Sequence, residues 1–130
     1  MAAIPELFEN VASKDYLGFK GKDNKTDYAK VADFMDFGNS DLSKIAGVSK
    51  SSVRFDDKMP KELRDRIDEI ANICLWVAEY FKDTHKTTLW FKAVNPHLGG
   101  ISPRDMIRLG RYKKLMQFVV DALGRNKRGD

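Results

Sequence analysis

An all-α fold of six or seven helices is predicted by three observations. Apolar residues recur at helical spacing in several separate windows. No segment sustains the apolar–polar alternation of a strand. Glycine, proline, serine and asparagine fall where helices would start and stop. The 130-residue chain, 42% hydrophobic, is long enough to bury a core as one domain or a domain with a small appendage.

Pro5 suits a first helical turn, and Ile4, Leu7, Phe8 and Val11 follow helical spacing. Lys14 to Lys25 is polar and contains glycine, so 1–25 reads as an N-terminal helix and linker. Thr26 or Asp27 would cap a helix with Tyr28, Val31, Ala32 and Met35 on one side, ending near Gly38. Asn39 or Ser40 would cap a short helix through Ala46, stopped by Gly47. A further short helix would run from Ser49 to about Phe55. The long element, Pro60 to Lys82 within a connecting segment 59–83, carries Leu63, Ile67, Ile70, Ala71, Cys74, Ala78 and Phe81 as one stripe. Ile73, Trp76 and Tyr80 add a second stripe, which points to central burial. Lys61–Asp65 and Glu62–Arg66 are expected ion pairs on the wet side. A helix from about His85 to Val94 ends at Asn95-Pro96. Ser102, Pro103 and Asp105 form the next start signal, that helix stops at Gly110, and the last runs from Arg111 to Leu123. There Tyr112, Leu115, Met116, Val119 and Leu123 turn inward and Gly124 is the C-cap.

The longest apolar run, Ile73 to Ala78, is too short to span a bilayer, and the N-terminus lacks a signal-peptide pattern. One cysteine excludes an internal disulfide framework, and two histidines cannot complete a zinc site with it. A cytoplasmic protein with no metal, no cofactor and no enzymatic activity is expected. The net charge is +4, but residues 84–130 hold ten basic against three acidic residues, a local +7. That excess suits an anionic partner or a solvated basic face.

Residues 26–58 have the grammar of a helix-turn-helix. Leu42, Ile45 and Ala46 pack the first helix, Gly47 turns, Val48 plugs the core, and Ser49 caps the second helix. Lys44, Ser49, Lys50, Ser51, Ser52 and Arg54 would then be the DNA-facing set. A purely structural three-helix unit is the alternative, and Asp56 and Asp57 sit where phosphates would prefer cations.

The stretch from Leu89 to Gly124, with Trp90, Asn95, Pro96, Leu98, Gly99, Gly100, Pro103 and Gly110 in order, resembles the toxin-binding domain of Xre/MbcA/ParS-type antitoxins. The resemblance covers roughly Asp41 to Gly124, with the toxin-binding unit at 84–124 and a basic tail at 125–130. It implies an antitoxin that neutralises a RES-type, NAD-consuming toxin by direct binding and represses its own operon through operator DNA, as a homodimer or toxin complex. Arg111, Lys114, Leu123, Arg125, Lys127 and Arg128 would then face the toxin. The tail R-N-K-R-G-D departs from the apolar-acidic ending of that family. The alternative is a stand-alone helix-turn-helix regulator whose C-terminal domain serves dimerisation. A small enzyme is the remote third reading, because no convergent catalytic set is present.

Gly99-Gly100 before a helix could cradle a phosphate, but neither a preceding strand nor a P-loop lysine accompanies it. A tight corner is the simpler expectation. His85 and His97 read as surface or capping residues, and Cys74 as core. Trp76, Trp90 and Phe91 could anchor a partner, with Trp90 expected in the core.

Overall fold

The computed structural model describes residues 15–127, with side chains described through Gly124. The expected helix around Ile4 to Val11 therefore lies outside the described residues. The chain is all-α. Among the described residues six α-helices follow in order: α1 (Tyr28–Met35), α2 (Asn39–Ala46), α3 (Lys61–Phe81), α4 (Thr84–Lys92), α5 (Pro103–Arg108) and α6 (Tyr112–Lys127). Two 3-10 turns, Lys50–Ser52 and Pro96–Leu98, interrupt the connections. Among the described residues no helix is long and apolar enough to cross a membrane.

α3 is the axis. It buries Leu63, Ile67, Ile70, Ala71, Ile73, Cys74, Val77 and Ala78, which combines most of both expected stripes. α1, α2, α4 and α6 all pack against it. Trp76 and Phe81 are half-buried, and Tyr80 is half exposed at 50%. Lys61 pairs with Asp65 at 2.8 Å as expected, whereas Arg66 reaches Glu69 at 3.0 Å in place of Glu62. The i,i+3 partner is equally adjacent on a helix surface.

Residues 15–25 are not a linker. Asp15 accepts backbone N–H groups from Phe19 and Lys20, each at 2.9 Å, and an antiparallel bridge joins Lys20 to Thr26. The loop so formed delivers Phe19 into the core at 1% exposure. Its ring meets Phe34 edge-on at 5.6 Å, and Phe34 meets Phe91 of α4 in the same way at 5.9 Å. This edge-to-face series, favoured by the ring quadrupoles, ties the N-terminal loop through α1 to α4.

Several helix ends differ from expectation by a residue or more. Asp27 caps α1, and Asp36 ends it in the left-handed conformation, two residues before Gly38. Gly38 occupies the cap position of α2, where the Asp41 carboxylate accepts its N–H at 3.3 Å. Pro60 stands at the cap of α3, with Lys61 opening the helix. Asp83 caps α4, and that helix closes at Lys92. α6 continues through Gly124, since the chain keeps donating to carbonyls one turn back.

The halves of the molecule are clamped by Arg104. Its Nε donates to the Met35 carbonyl and its Nη2 donates to the Asp36 carbonyl at 2.8 Å. The guanidinium also lies over the Phe37 ring, 5.2 Å from its centroid. Cations are favoured at the carbonyl-rich end of a helix. Lys92 Nζ adds a 2.9 Å ion pair to Asp36, and this hydrogen bond holds the Asp36 carboxyl below its ordinary range.

Replacing Arg104 with Met should lower unfolding free energy by about 2 kcal/mol, as expected for charge-assisted bonds to partly buried carbonyls. Arg104→Lys should recover only part of it, because an ammonium cannot bridge two carbonyls and stack; denaturant titration reads both. Because the folded Asp36 carboxyl is depressed, its pairing stabilises the fold above the ordinary aspartate range and that contribution is lost as pH falls through the folded value. Wild type should therefore exceed Lys92→Met in stability at pH 7 by under about 1 kcal/mol, the pair being exposed. The difference should shrink as pH falls below the ordinary aspartate range in denaturant titrations across pH. Cys74 is fully buried, which raises its thiol well above the usual range. A colourless-to-coloured thiol reagent should stay unreacted until denaturant unfolds the chain.

Candidate partner-docking site

The corner from Asn95 to Pro103 is a closed loop. Asn95 Oδ1 accepts from His97 N at 2.9 Å, while the Asn95 carbonyl accepts from Leu98 N at 3.0 Å and Gly100 N at 3.2 Å. Asn95 N donates to the Ile101 carbonyl at 3.1 Å, so the entering and leaving strands of the corner pair. Gly99 and Gly100 hold φ values of +85° and +81°, and a Cβ at either would meet open space. The requirement for glycine is thus one of backbone conformation, not of room. No anion role is needed to account for them.

Ser102 then caps α5 by accepting from Asp105 N at 3.1 Å, and Pro103 is buried at its first turn. α5 ends in the bond pattern of a Schellman motif. Gly110 N donates to Ile107 O at 3.0 Å and Arg111 N to Met106 O at 2.8 Å, with Gly110 at φ +80°. This reversal sends α6 back along α3, burying Leu115, Met116 and Val119, with Tyr112 and Leu123 half-buried.

Between the C-terminal half of α3, α4, the corner and α6 lies a groove of about 320 Å³. Tyr80 and Phe81 form one wall, Trp90 and His97 another, and Phe118 and Leu123 the floor along α6. His97 stacks on Phe118 with planes 24° apart and centroids 6.5 Å apart. Trp90, expected in the core, is half-buried on this wall, and Phe91 is the interior ring at 1% exposure. The two rings meet edge-on at 4.9 Å. Tyr80 at 50% and Val94 at 66%, next in chain to Asn95, leave apolar surface open at the rim.

The resemblance-carrying residues thus divide into builders and a lining. Pro96, Gly99, Gly100, Pro103 and Gly110 set the backbone path, Leu98 packs against the core, and Trp90 and Asn95 line the groove. The residues expected to face a toxin do not form one patch. Arg111 and Lys114 are exposed at the start of α6, and Leu123 lies in the groove. Nine residues along a helix place Lys114 and Leu123 on faces about 180° apart. Arg125 and Lys127 lie on the last turn, and their side chains, like all of Arg128, lie outside the described residues. Of the remaining basic excess, Arg104 and Lys92 serve the α1 clamp and Arg108 pairs with Asp105 at 3.2 Å.

The helix expected from Ser49 to Phe55 is a three-residue 3-10 turn, Lys50–Ser52. Ser43 Oγ donates to the Val48 carbonyl at 2.6 Å, and the Ser49 and Ser52 hydroxyls bond each other at 2.6 Å. Local serine bonds of this kind compete with helix propagation. Lys44, Lys50 and Ser51 are exposed, but Arg54 Nε and Nη2 are engaged by the Asp56 carboxylate. Val53 leaves the helical region at once, with ψ at 105°.

Among the described residues no cluster of His, Cys, Asp or Glu could hold a metal ion. No family model, curated protein or solved structure matches the chain. Gly100→Ala should destabilise the fold by about 1–2 kcal/mol through its left-handed backbone alone. A normal packing signature, with near-ultraviolet dichroism unchanged, would accompany the lowered denaturation midpoint.

Proposed function

We propose that the chain is the antitoxin of a type II toxin–antitoxin pair, neutralising a RES-domain toxin by direct protein binding. The observation that carries this is the aromatic-rimmed groove, because most of its lining, Trp90 to Leu123, comes from the stretch Leu89 to Gly124 that resembles the antitoxin domain, with α3 closing the other side. Concave apolar surface with an exposed tyrosine at its edge suits a protein partner, since desolvated aromatic anchors dominate interface energetics. The groove's acid–base groups are limited to His97 and Tyr80, which gives an enzymatic reading no nucleophile and base to pair.

Operator binding receives less support. A single 3-10 turn supplies about 6 Å of helix, which is short for reading a major groove, and its flanking arginine already has a carboxylate partner. The stand-alone regulator is therefore the weaker reading, favoured only by exposed Lys44 and Lys50.

Co-expression with an adjacent RES-domain gene tests the proposal. Growth rescue and a co-purifying complex are expected. Tyr80→Asp should weaken that complex by at least about tenfold, some 1.4 kcal/mol, with the free protein's denaturation midpoint unchanged. Toxicity without rescue or complex would sink the antitoxin reading. A complex indifferent to Tyr80→Asp and Leu123→Asp would remove the groove from it.

A further inference from the structure

The corner where α5 hands over to α6 is basic and largely unpaired. From Met106 to Val120 the chain holds four cations, Arg108, Arg111, Lys113 and Lys114, and no carboxylate. All four are exposed. Arg108 pairs with Asp105 at 3.2 Å. On α3, Glu69 and Arg66 act electrostatically on Tyr112 at the start of α6, but they pair with each other at 3.0 Å. Arg111, Lys113 and Lys114 form no ion pair among the described residues. They fall within three residue steps, about 4.5 Å along the helix axis. Lys114 lies half a turn round α6 from Leu123, so it faces away from the groove.

The chemistry of the corner narrows the choice of partner. A lipid surface takes up an apolar helix face, and that of α6 is occupied by the core, with Leu115, Met116 and Val119 buried. Of the corner's large apolar side chains, only Leu109 is exposed, at 56%. Protein interfaces are depleted of lysine at their centres and rest on desolvated aromatic anchors. The corner's one aromatic, Tyr112, is half-buried against the core. Clustered, solvated point charges with little apolar surface are what a phosphate backbone selects. We propose that Arg111, Lys113 and Lys114 form a binding site for the phosphate backbone of double-stranded nucleic acid, held without regard to base sequence. The site is separate from the groove and does not rest on the antitoxin reading. It also differs from operator recognition through Lys44 and Lys50, because no element has to read base edges.

Anisotropy of a fluorescein-labelled duplex of arbitrary sequence, titrated with the full chain between about 50 and 200 mM KCl, tests the site. Three neutralised phosphates predict a slope of log affinity against log salt of about −3 or steeper. The triple variant Arg111→Gln, Lys113→Gln, Lys114→Gln should bind at least about tenfold more weakly at the lower salt, with a slope shallower by about 2 to 3. Each single substitution should make it shallower by about 1, and the denaturation midpoints should not move. Lys44→Gln, Lys50→Gln, Lys86→Gln removes the same charge from other exposed positions and should leave slope and affinity nearly as in the unsubstituted chain. An equal loss in both triple variants would reduce the effect to net charge and overturn the inference. An unchanged slope in the corner variant, or no binding by the unsubstituted chain at the lower salt, would overturn it too. Displacement of the duplex by poly-glutamate at equal charge concentration would make any polyanion the occupant, and tighter binding to phosphatidylserine vesicles would make it a membrane; either result sinks the assignment.

Discussion

A helix that is apolar around most of its circumference must be enclosed, and α3 imposes that condition on everything else. Eight of its side chains are buried, which at roughly 1.5–3 kcal/mol for each large apolar group is a dominant part of the favourable free energy. One antiparallel neighbour can cover only a stripe. Four helices are therefore recruited, and the connections become the places where the chain must reverse sharply. The Gly99–Gly100 corner and the Gly110 reversal are consequences of that requirement. They let α4 and α6 both pack on α3 within 44 residues, Thr84 to Lys127.

The same geometry redistributes the charge. A net +7 over the C-terminal third looks like a surface made for an anion, yet two of its cations act inside the fold. α1 is only two turns long and ends on a left-handed aspartate, so its terminal carbonyls need donors. Arg104 supplies them from 68 and 69 residues away in sequence, and Lys92 pairs with the Asp36 carboxylate. Breaking this clamp would leave the carbonyls of Met35 and Asp36 without those donors and loosen α1 from α5. Among the described residues, the cations left exposed for an outside partner include those at the start of α6 and Lys86 on α4.

Local signals carried much of the fold into view. α3 and its stripe were legible because its period runs unbroken for 21 residues, and the Ser102-Pro103 start and Gly110 stop were legible because each is a chemical signal within four residues. The short turn at Lys50–Ser52 was not, since Gly47, Ser49 and Val53 satisfy a helix-turn-helix pattern whether or not the second helix propagates. Its failure to propagate depends on hydroxyl bonds among Ser49, Ser51 and Ser52, which spacing alone does not reveal. Phe19 was hidden in a polar stretch because one aromatic has no period. The groove was partly legible: Trp90, Asn95 and Leu123 stood out, but Tyr80, His97 and Phe118 meet only through tertiary packing.

The groove follows from the same constraint that built the fold. α3 contributes Val77, Tyr80 and Phe81 to the groove, α4 contributes Trp90 and α6 contributes Phe118 and Leu123, beside a corner held by the left-handed backbone of Gly99 and Gly100. Phe81, Trp90 and Phe118 are left packed along one edge and open along the other, with Tyr80 projecting beyond them. Ala122, the smallest side chain of the lining, leaves that space unfilled from within. Apolar surface left open in a concavity is surface that a partner can bury, which joins the end of α3 to a binding role.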